Sequence, residues 1–476
     1  MTISETSTTN PPALIVIFGI TGDLAQRKLM PALTNLVTGE TLHPDTQIIG
    51  VTRQKLTKKE VLKQFTESST HKNIQSLHKN FHVLSFDLSQ LDSYISLKNY
   101  LDEIETTKKL SFQRLYYLSI PPSIFDDMVG LMGQAGLHKS LRSSAHKPAI
   151  LVEKPFGYDL ESAKRLIKSA NKHFDETQVF RIDHYLAKET VQNILTFRSS
   201  NPIFDSIWDN QHVQSITITA FEAIGIEGRT NFYEQTGALR DLLQSHLLQL
   251  LSVVAMDLPK KTDSTNVHHA KLQLLQSVLT IEPDEVKQLS SRGQYQSFRQ
   301  EVQNEDSQTE TYAAVRLEID NHRWQGVPII LRTGKAMAAK LTEVSIIFKH
   351  SRSLGNDEVN NLSIRIQPNE AIELDLRVKK PGYTHELQTA SMEFTYQKAF
   401  EGKAQPDAYE RVLVDAIKGD HTLFATGEEV IETWRIVNNV ISEWAKNNTD
   451  LTIYPNGTDE TIATSLLESR LRTGEI

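Results

Sequence analysis

Residues 13–25 read ALIVIFGITGDLA, and their reading decides how the first part of the chain folds. The run from Ala13 to Ile20 is almost continuously apolar and rich in branched side chains, the composition of a short strand buried on both faces. Beyond the turn, Leu24, Leu29, Leu33, Leu36 and Val37 recur close to helical spacing, with Pro31 a candidate kink and Gly39 a stop signal. Gly19 and Gly22 therefore lie between a buried strand and a helix start. Glycine permits tight turning and close backbone approach, and the exposed amides and dipole of a helix start attract a diphosphate. The spacing is not GxGxxG, so the turn by itself also reads as an ordinary strand-to-helix connection. Its place after the first strand of an alternating region favours dinucleotide binding.

Outward from this stretch, QIIGVT from Gln47, RLYYLSI from Arg114 and AILVEKP from Ala149 read as further strands separated by helix-like segments. Such alternation predicts a Rossmann-type α/β domain, a parallel sheet covered by helices with ligands at the strands' carboxyl ends. NAD sites tend to place an acid after the second strand and NADP sites a base. Thr52 and Arg53 follow that strand, while Asp45 precedes it, so NADP is the expected cofactor; a solvated surface arginine is the alternative. Lys154, at the end of AILVEKP, is either a ligand contact or a plain surface lysine.

Past residue 181 the pattern changes. VQSITITAFEA, TYAAVRLEID, EVSIIFKH and LSIRIQP show partial period-two alternation, which predicts a larger α+β domain with a mainly antiparallel sheet. The expected division is 1–181 for the NADP-binding domain, with residues 1–12 a loose tail, and 182–476 for the second, α+β domain. A long helical pattern from Gln235 to Asp257 and helices in PDAYERVLVDAIKG and EEVIETWRIVNNVISEWA fall to the second domain.

With 476 residues, 39% hydrophobic and 23% charged, the chain has the balance of a globular protein of two or three domains. A net charge of −8 without a basic run argues against nucleic acid. No apolar stretch approaches the roughly 18 residues that span a bilayer, and the opening MTISETSTTNPP lacks a secretory pattern, so a cytoplasmic location without membrane association is expected. There is no cysteine, which removes disulfides, thiolate metal sites and cysteine nucleophiles.

The stretch FRIDHYLAKE, residues 180–189, crowds Arg181, Asp183, His184, Tyr185, Lys188 and Glu189 together. In a regular strand Asp183 and His184 would face opposite ways, so only a bend lets them converge. Such a cluster suits a phosphate dianion, or else an interdomain ion-pair network. In GALRDLLQSHLLQLLSVVAMD, helical projection places His246 in one stripe with Leu239, Leu242, Leu243 and Leu250. It is a core histidine, or a general base if a carboxylate such as Asp183 fixes its tautomer. Lys335 and Lys340, after the strand-like GVPIIL, could bind an anion or remain solvated. His78 with His82, and His268 with His269, read as surface residues, and no metal site is expected.

In order along the chain, FGITGDLA, EKPFG, RIDHYLAKE, EGRTNFYEQTGALRDLLQSHLLQLL, PIILRTGK, IRIQPNEA and PDAYERVLVDAI closely resemble the glucose-6-phosphate dehydrogenase family. The resemblance spans residues 13 to about 440, and its most specific parts are RIDHYL with the following Lys and Glu, and DLLQSHLLQ. It implies oxidation of glucose 6-phosphate at C1 to 6-phosphogluconolactone with NADP as acceptor, the first step of the oxidative pentose phosphate pathway. His246 would be the general base and Asp183 its partner. His184, Tyr185 and Lys188 would hold the phosphate. Lys154 and Lys335 would contact substrate, Lys340 would lie near the sugar phosphate, and Glu222 and Asp241 would take sugar hydroxyls. Gly19, Thr21, Gly22, Asp23, Leu24, Arg53 and Lys154 would line the cofactor, and the family implies a homodimer or homotetramer.

The sequence departs from the family at Ala187, where glycine is usual; if that position needs positive φ, alanine strains the phosphate loop. Some members hold a second, structural NADP on basic residues. Here Leu341 and Ser345 stand where basic groups are frequent, while Arg332 and Arg365 remain. A dehydrogenase tolerant of many hexoses and hexose phosphates, or a catalytically silent sensor of NADP and sugar phosphate, are the competing readings.

Overall fold

The continuous apolar runs of the first 181 residues form strands buried on both faces. The computed structural model describes residues 10–68, 74–141, 147–350, 359–400, 406–446 and 450–467; the first nine residues of the expected tail lie outside that set. Strands β1 (Ala13–Phe18), β2 (Gln47–Thr52), β3 (Phe81–Ser85), β4 (Gln113–Leu118), β5 (Ala149–Val152) and β6 (Val179–Arg181) make one parallel sheet in the order β3-β2-β1-β4-β5-β6. Alternate residues of β1 serve two core layers. Ile15 and Ile17 join Leu29, Leu33 and Leu36 on one face, while Leu14, Val16 and Phe18 join Tyr94, Leu97 and Met128 on the other. Neither β3 nor β6 stood out in the sequence, β6 because three residues carry no readable period.

The glycine turn is set by crowding. Gly19 has φ +84°, and a Cβ there would stand 2.3 Å from the Ser119 carbonyl oxygen just past β4. The amides of Gly19 and Ile20 both donate to the Val51 carbonyl of β2 at 3.2 Å. The turn thus ties β1 to both neighbours where the strand order reverses. The following helix starts at Asp23, widens to a π-helical turn over Ala25–Leu29, and is regular α-helix over Met30–Thr38. Pro31 cannot donate to the carbonyl four residues back, and the wider turn beside it accommodates that loss.

The first compact unit comprises Met1–Gly157, Glu161–Ala187 and Pro406–Gly427. It therefore runs on past residue 181, and it takes in PDAYERVLVDAIKG, which the sequence reading assigned to the second domain. That segment is helical over Ala408–Lys418, and Leu413, Ala416 and Ile417 complete the core layer that contains Ile15 and Leu33. An amphipathic pattern reports that one face is buried, not against which neighbours.

The second unit comprises Tyr158–Leu160, Lys188–Gln405 and Glu428–Ile476. Its strands β7 (Val213–Phe221), β8 (Ser290–Tyr295), β9 (Tyr312–Leu317), β10 (Ile329–Gly334), β11 (Leu341–Phe348), β12 (Asn361–Gln367), β13 (Ala371–Lys379), β14 (Leu387–Thr395) and β15 (Leu451–Tyr454) form a sheet ordered β14-β13-β12-β11-β7-β10-β9-β8-β15. Most pairs are antiparallel, as the alternation predicted, but β7 with β10 and β8 with β15 are parallel. The single helix expected over Gln235–Asp257 is instead interrupted. Gly237 takes φ +68°, with no room for a Cβ beside the Glu310 carboxylate. Leu239–Leu247 is then π-helical, and Leu248–Ala255 is α-helical. Among the described residues no helix is long and apolar enough to cross a membrane.

Gly19→Ala would force a left-handed φ on a residue with a side chain and press that carbon into Ser119. A cost of about 1–3 kcal/mol is expected, read as a lowered Tm in calorimetry; an unchanged Tm would mean that the turn relaxes freely.

Candidate functional site

In the first unit, nearly all candidate residues lie just beyond the carboxyl ends of parallel strands. Arg53 follows β2 directly and is exposed. Asp87, just past β3, has its carboxyl held below the usual range by the Ser89 hydroxyl and amide, with a smaller contribution from Arg53. Gly22 donates to the Gly19 carbonyl at 2.9 Å, and the Thr21 carbonyl accepts from Gln26. Leu24 packs against the core. Asp23 forms an exposed ion pair with Arg27 at 2.7 Å.

Lys154 is half-buried after β5. Its chain neighbour Glu153 accepts a hydrogen bond from the buried Tyr117 hydroxyl. Beyond β6 the chain bends into a turn over residues 184–187, the geometry that frees Asp183 and His184 from strand alternation. Asp183 is 4% exposed, and one of its carboxylate oxygens accepts the Tyr185 amide at 2.9 Å. The His184 and Tyr185 rings meet edge-on, 5.1 Å between centroids. Ala187 is buried and does not adopt positive φ, so alanine carries none of the strain considered for it. Arg181 is committed to an ion pair with Glu176.

The second unit gathers its own set. In the parallel pair β7–β10, Phe221 aligns with Gly334, so the residues that follow, Glu222 and Lys335, emerge level with one another. Lys335, 1% exposed, donates to the Glu222 carboxylate and lies 5.1 Å from the Tyr233 ring centroid. Backbone bonds fix both: the Lys335 amide donates to Thr311, its carbonyl accepts from the Tyr454 hydroxyl at 2.7 Å, and Glu222 donates to Gly334. Burial pushes the Tyr233 phenol well above its usual range, with Asp241, Glu310 and Glu222 adding to the effect. Glu222, Lys335 and Asp241 are therefore neighbours around Tyr233, a residue the sequence reading passed over.

His246 is completely buried, as its stripe of leucines predicted. The π-helical register changes its company. An α-helix separates residues five apart by about 140° around its axis, whereas the wider i→i+5 winding reduces that separation. Asp241 and His246 thus come towards one face of Leu239–Leu247. Lys188 precedes the helix Glu189–Ser200 and donates to the Gln367 side-chain oxygen; Gln367 in turn donates to Thr342. Lys340 is exposed before β11. Arg332 pairs with Glu460, and Arg365 with Glu343 at 3.5 Å, so both arginines considered for a second dinucleotide already carry carboxylate partners.

Two histidines differ from the surface assignment made for them. His82 is half-buried between Gln47 and Tyr100, each at 3.0 Å, and burial lowers its pKa. His268 contacts the fully buried Glu429 at 2.9 Å, and Glu429 also pairs with the buried Lys271 at 2.9 Å. No group of metal-ligating side chains occurs among the described residues.

A parallel sheet whose order reverses at a glycine turn, in one chain with a second unit that buries a histidine and a lysine–carboxylate pair, defines a dinucleotide-dependent oxidoreductase. Residues 16–193 match the family described as glucose-6-phosphate dehydrogenase, NAD binding domain, and residues 195–472 its C-terminal domain. The chain belongs to the glucose-6-phosphate dehydrogenase family. It is 41% identical to the glucose-6-phosphate 1-dehydrogenase of Borreliella burgdorferi over 90% of this chain and 92% of that one, and 35% identical to that of Bacillus subtilis over 94% of each. Among solved structures, a glucose-6-phosphate dehydrogenase in complex with its substrate glucose-6-phosphate is 32% identical, with a TM-score of 0.89 over 99% of this chain and 100% of that one. The Mycobacterium avium enzyme is 33% identical, with a TM-score of 0.81 over 94% of this chain and 95% of that one.

The Glu429 cluster also sets a pH dependence. Burial alone would raise its carboxyl pKa, but Lys271 and His268 reverse this and hold it below the ordinary value. Its contribution to stability is therefore complete above the unfolded-state pKa and lost as pH falls through the lower folded value. Glu429→Gln leaves Lys271 buried without its counter-charge, so stability at neutral pH should fall by about 3–5 kcal/mol, measured by urea unfolding. The loss should narrow as the pH is brought below 4.

Proposed function

We propose that the chain oxidises D-glucose 6-phosphate at C1 to 6-phospho-D-glucono-1,5-lactone with NADP as acceptor, opening the oxidative pentose phosphate pathway. Family membership along both halves of the chain carries the reaction and substrate. NADP in preference to NAD rests on Arg53, the base directly after β2, where a 2′-phosphate would lie. The Gly19 position supports dinucleotide binding: its backbone packs so tightly against Ser119 that no side chain fits, and Gly22 keeps the turn compact. Gly19, Thr21, Gly22, Asp23, Leu24, Arg53 and Lys154 would hold the cofactor, which when bound supplies the hydride acceptor.

The chain's own residues then have to manage one proton and one phosphate. His246 is assigned as the base that removes the C1 hydroxyl proton. Its complete burial supports this role by keeping the proton transfer away from bulk water. The complementary negative charge is assigned to Asp183, whose carboxylate is fixed by the Tyr185 amide. His184, Tyr185 and Lys188 are assigned to the phosphate, with Lys340 nearby. Lys154 and Lys335 are assigned to the sugar, with Glu222 and Asp241 accepting from its hydroxyls. Holding the phosphate away from C1 orients the reacting carbon, so the clamp contributes to rate as well as affinity. The protein is proposed to act as a homodimer or homotetramer, a reading supported by the exposed Met392 and Phe394 of the edge strand β14.

Steady-state assays of NADPH formation test the proposal. kcat/KM should be far higher for glucose 6-phosphate than for glucose, and Arg53→Ala should weaken NADP much more than NAD; equal use of both sugars, or equal losses for both cofactors, would refute the respective assignment. His246→Asn should lower kcat by about 10²- to 10⁴-fold, the range of general-base assistance, with little change in substrate affinity. Near-normal turnover would mean that another group takes the proton.

A further inference from the structure

Two consecutive residues ahead of β9 reach both halves of the second unit's candidate set. The Thr311 carbonyl accepts the Lys335 amide at 2.9 Å, and the Thr311 amide donates to Gly293 of β8 at 2.8 Å. Glu310 serves the helix that carries Asp241 and His246. Its carbonyl accepts the Ala238 amide at 2.9 Å, and its carboxylate Oε1 accepts the Leu239 amide at 3.0 Å. These are the first amides after Gly237, whose φ of +68° and ψ of 173° end the preceding helix. Amides that follow such a break have no carbonyl one turn back, so a helix starting there needs acceptors from elsewhere. The carboxylate also closes over Gly237 itself: a Cβ there would stand 2.3 Å from Oε1, 2.7 Å from the carboxyl carbon and 2.8 Å from Oε2. Just before it, the Thr309 hydroxyl donates to the Glu234 carbonyl at 2.9 Å, which ties the same stretch to the helix ahead of the break. Glu310 is 6% exposed, so these contacts are internal.

We propose that Glu310 is a positioning residue for the reaction, a role that rests on the assignments made above for Asp241, His246 and Lys335. By taking the Leu239 amide and filling the space over Gly237, it fixes where the wide winding of Leu239–Leu247 begins. A helix carries the register of its first turn to every later residue through its own hydrogen bonds, so the start decides where Asp241 and His246 stand. Thr311, the next residue in the chain, holds the Lys335 backbone. Helix and lysine are thus referenced to one dipeptide. The role needs an acceptor that reaches Leu239. A negative charge near a helix start is favourable in its own right, so reach and charge have to be separated by substitution.

Glu310→Gln keeps an acceptor at full length, whereas Glu310→Asp keeps the charge and falls one methylene short of Leu239. In assays of NADPH formation from glucose 6-phosphate, kcat should fall about 10- to 100-fold in Glu310→Asp, the scale of a misplacement of about an ångström. In Glu310→Gln it should stay within about threefold of native, the difference between a charged and a neutral acceptor, and KM for NADP should hold in both. In the ligand-free protein, the ¹³C-histidine resonance of His246, identified by its loss in His246→Asn, should move in Glu310→Asp and stay in place in Glu310→Gln. That reading uses no substrate, so it is separable from whether glucose 6-phosphate is the substrate. The steric contact is probed in parallel: Gly237→Ala should lower kcat by a smaller factor in a Glu310→Ala background than in the native one, because the clash with the carboxylate is gone. Native kcat in Glu310→Asp, greater damage in Glu310→Gln, an unmoved His246 resonance, or equal factors for Gly237→Ala in the two backgrounds would overturn the proposal, even where Tm falls, and leave Glu310 as a cap that only stabilises the fold.

Discussion

Parallel pairing of β1 with β2 and β4, and of β7 with β10, brings strand carboxyl ends level with one another. Most of the candidate chemistry follows from that constraint. Gly19, Arg53, Glu153, Lys154 and Asp183 each lie one or two residues past a parallel strand, and so do Glu222 and Lys335 in a sheet that is otherwise largely antiparallel. Where strands run the same way, the chain leaves all of them at one end, and the side chains just beyond meet without long loops. The Lys335–Glu222 pair owes its geometry to this: a one-residue change of register would move the two charges apart and turn one of them to the opposite face.

Two further candidate residues, Asp241 and His246, are carried on an altered helix. Leu239–Leu247 is wound i→i+5, begins two residues after a glycine with left-handed φ, and is held at its start by Glu310 accepting the Leu239 amide. Such winding costs regular hydrogen-bond geometry and is kept where a side chain must be re-aimed. Here it brings Asp241 and His246 closer around the helix axis than regular winding would. The widened turn at Ala25–Leu29 answers a different need, the missing donor of Pro31, close after the glycine turn. In both places a regular α-helix would put the same letters on different faces.

The sequence made a good deal of this legible. β1, β2, β4 and β5 are continuous apolar runs, and β7, β9, β11 and β12 alternate enough to be read; the switch between those patterns separates the two sheet types. The burial of His246 was also written in its leucine stripe. Other features had no local signal. β6 is three residues long, Tyr233 sits in a segment without periodicity, and the helix Ala408–Lys418 is separated by more than two hundred residues from the strands it covers. His268 looked like a surface residue because its partner Glu429 is far along the chain. Ala187 raised a question of strain that depended wholly on one backbone angle.

Composition and local pattern alone determined the class of fold, the glycine turn, the charge types available for phosphate and dinucleotide, and the exclusion of thiol chemistry. Those properties reside in short windows, where the alternation of apolar side chains and the steric freedom of glycine act directly. Tertiary structure decided which charges pair, which helices widen, and that Glu153 rather than Asp183 is the acid placed under a phenol. Charge state and partner choice depend on desolvation and distance across strands and helices remote in sequence, quantities that no stretch of letters contains.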